Sequence, residues 1–316
     1  MQIAEPTVER FPNHLMAYFA ATRPAFILAT VIPIFLGLGY CIYEGQTINW
    51  LTAILTLLAG VLLHAGINVL NDYYDALNGT DDLNEERVYP FTGGSRFIQN
   101  AVLSRKQTYI YGITLILVVM TIGIYLISQT GIILFWLGLF GILLGWGYSA
   151  PPLNLNSRGL GELSVLAGFS LLPMGTYLVQ TGGLSGTLLL VSLPVGLLTA
   201  NLLYINQFPD RKADIQAHKL HWVARLSPQT SRWGYVLIAL LAWLTLVALI
   251  LSGVLPLLAG ISLLPAILSI KAARILLQYA ATPHMLTPAI QITILAMLAH
   301  GALLTLALVM ASFFGA

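Results

Sequence analysis

Nine separate apolar runs constrain this 316-residue chain more than any other feature. Each is close to the roughly 20 residues that carry an α-helix across a bilayer. They fall at about Phe26–Tyr43, Trp50–Val69, Tyr109–Ile127, Gly131–Tyr148, Leu163–Val179, Leu184–Ile205, Tyr235–Leu251, Val254–Ile270 and Ile290–Phe314. In hydrocarbon every backbone N–H and C=O needs an internal partner, so such a chain folds as spanning helices. The runs are too long, and alternate too little, for barrel strands. Apolar residues make up 58% and charged residues 8% of the chain, against about 25% charged in an ordinary soluble domain. Disordered, collagen-like and soluble globular folds are therefore excluded. The single cysteine, Cys41, excludes an intramolecular disulfide and a multi-cysteine zinc site. A net charge of +2 gives no footprint for nucleic acid. The fifth and eighth runs are short and carry Pro173, Pro256 and Pro265, which membrane helices tolerate when neighbours satisfy the freed carbonyls. Glu5 and Glu9 precede the first run and no small-residue cleavage site follows it, so it is expected to remain as a span rather than leave as a signal peptide.

Loop charge sets the expected orientation. If the N-terminus and the connections after the second, fourth, sixth and eighth runs share one side, that side holds all 14 Lys and Arg residues. Positive loops stay in the cytoplasm, which predicts an N-inside, C-outside protein of nine spans. Arg225, Arg232, Lys271 and Arg274 read as anchors to anionic headgroups. Of the 12 acidic residues only Glu44 falls on the opposite side. The two long connections, residues 70–108 and 206–234, lie on the charged side. Polar chemistry is thus gathered at one membrane face.

An internal repeat marks where that chemistry sits. The second run ends in Asn71-Asp72-Tyr73-Tyr74-Asp75, and the sixth in Asn206-Gln207-Phe208-Pro209-Asp210, followed by Asp214. Each reads Asn, any residue, aromatic, any residue, Asp. The two stretches lie four spans apart, which predicts parallel halves of about 18–150 and 160–275, a ninth helix over about 288–314, and a single domain over 1–316. Asp72 with Asp75, and Asp210 with Asp214, have the i,i+3 and i,i+4 spacing of one helix face. Facing carboxylate clusters repel unless cations lie between them. Carboxylate-rich sites suit Mg²⁺, which commonly completes its shell with substrate phosphate and water. Arg96, Arg211, Lys212 and Lys219 are nearby phosphate partners. The pattern therefore points to a Mg²⁺–diphosphate site above an apolar cavity. Asp81 reads equally well as a further ligand or as part of a solvated loop. His64 reads more readily as a packing residue than as a polar contact.

At these motifs the chain resembles the UbiA-type intramembrane aromatic prenyltransferases. Thr22-Arg23-Pro24, Tyr148-Ser149-Ala150-Pro151-Pro152-Leu153 and Arg158-Gly159-Leu160-Gly161-Glu162-Leu163 extend the resemblance over nearly the whole chain. Pro90-Phe91-Thr92-Gly93-Gly94-Ser95-Arg96, Lys219 and Val223-Ala224-Arg225-Leu226 are similar to the branch that acts on 1,4-dihydroxy-2-naphthoate in menaquinone synthesis. Departures are the wide spacing of Asp81 from Asp75, and Pro209, Asn156 and His218 where the branch often has other residues. The resemblance implies an all-α fold of nine helices. It also implies polyprenyl transfer from a diphosphate to an aromatic ring, with Mg²⁺ held by Asn71, Asp72, Asp75, Asn206, Asp210 and Asp214, and Asp81 as a further ligand. Lys212, Lys219, Arg96 and Arg23 would meet phosphate, together with Asn71 and Asn206. Tyr148 would face the diphosphate or the allylic cation, and one of the Asp residues would remove a proton. The implied partners are a polyprenyl diphosphate, an aromatic acceptor and membrane lipid, with no required protein partner. The implied place is the bacterial cytoplasmic (inner) membrane, with the site on the cytoplasmic side. Other acceptors remain open, namely 4-hydroxybenzoate, homogentisate, a tetrapyrrole or a phosphorylated glycerol. So do a secondary transporter and a non-catalytic scaffold.

Overall fold

All regular structure in the computed structural model, which describes residues 4–314, is helical. The extreme ends of the expected 1–316 domain lie outside the described residues. Among the described residues nine helices are long and apolar enough to cross a membrane, as the nine apolar runs predict. A short helix α1 (His14–Ala21) precedes them, with the Asn13 side chain capping Leu15 N.

The spans start and stop on recognisable local chemistry. Helix α2 (Pro24–Tyr43) opens with proline at its first position, where the missing N–H has no helical partner to lose. Helix α3 (Trp50–Asn78) is capped by Asn49 and ends at Gly79, whose φ of 80° is the left-handed turn that suits glycine. One further turn, α4 (Thr80–Leu83), follows. Helix α5 (Arg105–Thr130) begins with a reciprocal Ser104–Gln107 capping box, and α6 (Ile132–Ser149) returns after Gly131 alone. Next come α7 (Gly161–Thr181) and α8 (Gly186–Gln216). The short α9 (Trp222–Arg225) precedes α10 (Pro228–Leu251). The eighth crossing is broken. A 3₁₀ stretch, Leu257–Leu263, gives way at Pro265 to α11 (Ala266–Tyr279), because proline has no N–H to continue the ladder. Helix α12 (Thr287–Phe314) is the last.

Two boundaries differ from the sequence reading in a way that matters. The second and sixth apolar runs stop at Val69 and Ile205, but α3 and α8 continue to Asn78 and Gln216. Hydropathy marks where apolar surroundings end, whereas backbone hydrogen bonding carries the helix on into the polar layer. Both Asn–Asp motifs are therefore helical throughout and hold their side chains at fixed spacing.

Packing is uneven around the bundle. Helix α8 is the central post, with 72% of its most apolar stretch buried, whereas α6 lies at the rim with 11%. The side built from α8, α10, α11 and α12 is solid, and Tyr235, Leu276 and Ile290 are among its fully buried side chains. On the other side α3 and α5 pack closely because Gly112 of α5 leaves room for the Leu70 side chain of α3. A Cβ on Gly112 would lie 2.7 Å from Leu70 Cγ. Between α2, α3, α5, α6, α7 and α8 the interior is open, a cavity of about 570 Å³. Its lining on α3 runs from Asp75 to Thr56, about 28 Å of helix at the standard rise. The cavity thus starts at the motif end of α3 and α8 and reaches most of the way through the bundle.

Candidate active site

The two motif-bearing helix ends meet at the polar end of this cavity, and Lys219 stands between them. Its Nζ lies 3.1 and 3.0 Å from the two carboxylate oxygens of Asp75 and 3.6 Å from Asp214 Oδ1. Burial by itself would pull the ammonium pKa down, but Asp75 and Asp214 outweigh it and hold the group above the ordinary lysine value. Arg23 does the same for Asp72. The two form an ion pair, and Asp72 Oδ1 also accepts from Ser95 N at 3.2 Å. Burial again opposes the charge, and Asp72 and Asp81 raise the guanidinium pKa in spite of it. Asn71 Nδ2 donates to Asp75 Oδ2 at 3.0 Å and to Ser149 Oγ at 2.8 Å.

The α8 side is held mostly by neutral donors. Asn84 Nδ2 donates to Asp210 Oδ1 at 2.6 Å. His221 Nε2 lies 2.8 Å from Asp214 Oδ2, while Nδ1 accepts from Ala224 N at 3.2 Å. That second bond leaves the proton on Nε2, so the imidazole donates to the carboxylate. Asp81, on α4, is buried against Gly94, whose φ of 74° and close approach leave no room for a Cβ beside the Asp81 carboxylate. Burial, followed by the charges of Asp75 and Asp72, pushes the Asp81 carboxyl well above the usual range.

Most of the residues expected from sequence line the cavity together: Arg23, Asn71, Asp75, Asp81, Tyr148, Asn206, Asp210, Asp214 and Lys219. Three do not. Asp72 lies behind Arg23 in the ion pair just described. Arg96 is buried, donates to the Asp81 backbone carbonyl and lies 3.8 Å from Glu5. It holds the loop, and burial lowers its pKa. Lys212 is exposed and pairs with Glu86. It is two residues from Asp210, roughly 200° around the helix, so it points away from the cavity. Arg211 is likewise absent, being tied to the backbone carbonyls of Val223 and Leu226. Two site residues escaped the sequence reading, Asn84 and His221. Their contacts are made across loops, and no spacing along the chain marks them.

The expected metal ligands are brought together without forming a ready-made ion site. Among the described residues no three acidic, imidazole or thiol side chains converge as one, because the Lys219 ammonium stands between Asp75 and Asp214. The donor set nonetheless suits a hard cation. Asp81 Oδ2, Asn206 Oδ1 and Asp214 Oδ1 are buried and meet no hydrogen-bond donor among the described residues, and buried oxygens without partners are costly. All three residues are on the cavity wall, and all three atoms are of the kind Mg²⁺ prefers.

Comparison with known proteins then decides the family. The sequence profile described as the UbiA prenyltransferase family matches residues 30–285. This chain belongs to that family. It is 33% identical over 230 residues to a 1,4-dihydroxy-2-naphthoate octaprenyltransferase of Haemophilus influenzae, covering 69% of this chain and 71% of that one. Against an Escherichia coli protein with the same description it is 26% identical over 302 residues, covering 93% of each. Among solved structures, a UbiA homologue from Archaeoglobus fulgidus bound to DMAPP and Mg²⁺ has a TM-score of 0.62 at 17% identity, covering 91% of this chain and 98% of that one. This UbiA-family chain is therefore an integral membrane prenyltransferase with the UbiA fold.

Proposed function

We propose that this prenyltransferase moves a polyprenyl group from its diphosphate to 1,4-dihydroxy-2-naphthoate, with Mg²⁺, at the cytoplasmic face of a bacterial inner membrane. The observation that carries the reading is the junction of two Asp-bearing helix ends, bridged by Lys219, with a deep apolar cavity. The naphthoate relatives support the acceptor, the Archaeoglobus structure supports the metal, the sorting of basic residues supports the orientation, and the Asn–Asp motif repeated four spans apart supports the two four-helix halves.

In this reading Asn71, Asp75 and Asp81 from one side, and Asn206, Asp210 and Asp214 from the other, hold the metal. Mg²⁺ bound there would neutralise the diphosphate and the charge that develops on it as the allylic C–O bond breaks. Arg23 and Lys219 are the cations placed to bind phosphate oxygens. Turning to phosphate would release Asp72 and Asp75 to complete the ligand set. Tyr148 lines the same end of the cavity and faces the reacting carbon. Asn84 and His221 orient Asp210 and Asp214. The apolar wall takes the tail and keeps water from the allylic cation before the ring reaches it. The 28 Å reach of α3 along the cavity matches a long tail rather than a short one.

The test is prenyl transfer in isolated membranes carrying the protein, with labelled dihydroxynaphthoate, 4-hydroxybenzoate and homogentisate offered separately. Lipid-soluble product from the naphthoate alone is expected. Product from another acceptor would move the protein to another branch, and no product from any acceptor would remove the aromatic-transfer reading.

A further inference from the structure

His64 has no part in the mechanism above, yet its imidazole lies on the cavity wall at mid-span of α3, well below His221 at the polar end. Its Nδ1 lies 2.7 Å from Thr30 Oγ1 of α2, and its ring meets Phe169 of α7 edge-on, with centroids 5.7 Å apart. Among the described residues Nε2 has no partner. An ionisable side chain at hydrocarbon depth is costly and by default marks function. An interhelical hydrogen bond would explain Nδ1 alone. His300 shows what a packing histidine looks like in this bundle. It is fully buried away from the cavity, with Nδ1 3.0 Å from the Ser262 carbonyl, its ring against Trp243 and its own Nε2 without a partner among the described residues, so the place on the cavity wall, not the open Nε2, sets His64 apart.

We propose that His64 binds a hydroxyl of the aromatic acceptor and takes its proton as the ring attacks. The inference rests on the aromatic-transfer reading above. His64, Asn68, Asn71 and Asp75 are spaced i, i+4, i+7 and i+11, share one face of α3 and all line the cavity. From His64 to Asn71 is two helical turns, about 10 Å of rise. That interval accommodates a bicyclic ring held by the imidazole at one end and presented to the diphosphate at the other. Phe26, Phe91 and Phe169 line the cavity with aromatic surface. In the step, the bond between the allylic carbon and oxygen breaks and its electron pair leaves with diphosphate. The ring carbon bonds to the allylic carbon, the hydroxyl oxygen becomes a carbonyl, and its proton passes to Nε2. When the attacked carbon then loses its carboxylate as CO₂, the carbonyl oxygen recovers the proton and the ring is aromatic again. In the tautomer this step needs, Nδ1–H donates to Thr30 Oγ1 and Nε2 is bare, so Thr30 fixes both the ring and its proton and acts as a positioning residue.

The experiment is steady-state kinetics of the full chain in lipid nanodiscs for His64→Phe, His64→Gln and Thr30→Val. Acceptor is varied at saturating polyprenyl diphosphate, and prenylated ring is measured separately from released diphosphate. For His64→Phe the expected result is a fall in kcat/KM for the acceptor of about 100-fold, the usual scale of a lost general base. KM for the donor should be unchanged. His64→Gln should keep the acceptor KM but lower kcat, and Thr30→Val should show a smaller loss of the same kind. Wild-type acceptor kinetics in His64→Phe would overturn the proposal. So would parallel losses of donor and acceptor binding in both His64 variants, which mark a packing role. Failure of wild type itself to prenylate any ring would instead overturn the aromatic-transfer reading.

Discussion

The two motif-bearing helix ends share a sequence pattern but are neutralised differently. On α3 each carboxylate has its own cation, Arg23 for Asp72 and Lys219 for Asp75. On α8 Asp210 is held by the Asn84 amide without an ion pair among the described residues, while Asp214 has the His221 imidazole and a more distant Lys219. Of the three unpartnered oxygens on the expected metal ligands, two, on Asn206 and Asp214, are also on α8. The α3 end is thus complete in the protein alone, and the α8 end is left in need of positive charge. In the proposed reaction the first end would supply cations for substrate phosphate to recruit, and the second the stronger pull on a metal.

Substitutions separate these roles, and the largest effects should come from the carboxylates themselves. Asp210→Ala and Asp75→Ala should each lower prenyl transfer by about 10³-fold or more, the scale of lost electrostatic stabilisation at developing charge, read as product per milligram of membrane protein. Comparable activity in either variant would break the pairing of the two ends. Next comes Lys219→Ala, which leaves Asp75 and Asp214 buried without their cation. It should lower stability by about 3 kcal/mol in thermal unfolding without divalent ions, and Mg²⁺ should restore part of the loss. Restoration by Mg²⁺ is the sharper result, since it requires both carboxylates at the ion. Asn84→Ala removes a partner that orients Asp210, and weaker Mg²⁺ activation by about 10-fold is expected. A smaller effect is protonic. Because burial, then Asp75 and Asp72, push the Asp81 carboxyl above the usual range, metal binding at a pH where it still carries its proton should release that proton. Calorimetry in two buffers of different ionisation enthalpy measures that release, which should shrink as pH rises. Lys212→Ala, at the exposed pair with Glu86, should change stability by no more than about 0.5 kcal/mol and leave activity near wild type.

Much of this arrangement is legible in the chain because bilayer length and loop charge are strong constraints. Apolar runs of spanning length mark the spans, and the repeated Asn–Asp spacing marks the paired helix ends before any coordinates. What the sequence hides is which face of a helix a charge occupies once the helix outlasts its apolar run. Lys212 and Arg211 are as close in sequence to Asp210 as any useful cation, yet both turn away, while Lys219 returns from the next loop. Asn84, His221 and the loop role of Arg96 depend on contacts between distant segments, which no periodicity records. His64 is a different case. It is visible in the sequence as a lone histidine in an apolar run, but its open Nε2 and its place on the cavity wall are visible only in the fold.

The central claim is that both helix ends hold one prenyl diphosphate through a divalent cation. Binding of a non-reacting polyprenyl thiodiphosphate to the purified protein, with and without Mg²⁺, tests it most directly when wild type is compared with Asp75→Asn and Asp210→Asn. The account predicts tight binding by wild type only with Mg²⁺ and weak binding by both variants. Equal binding without Mg²⁺, or full binding by either variant, would contradict it.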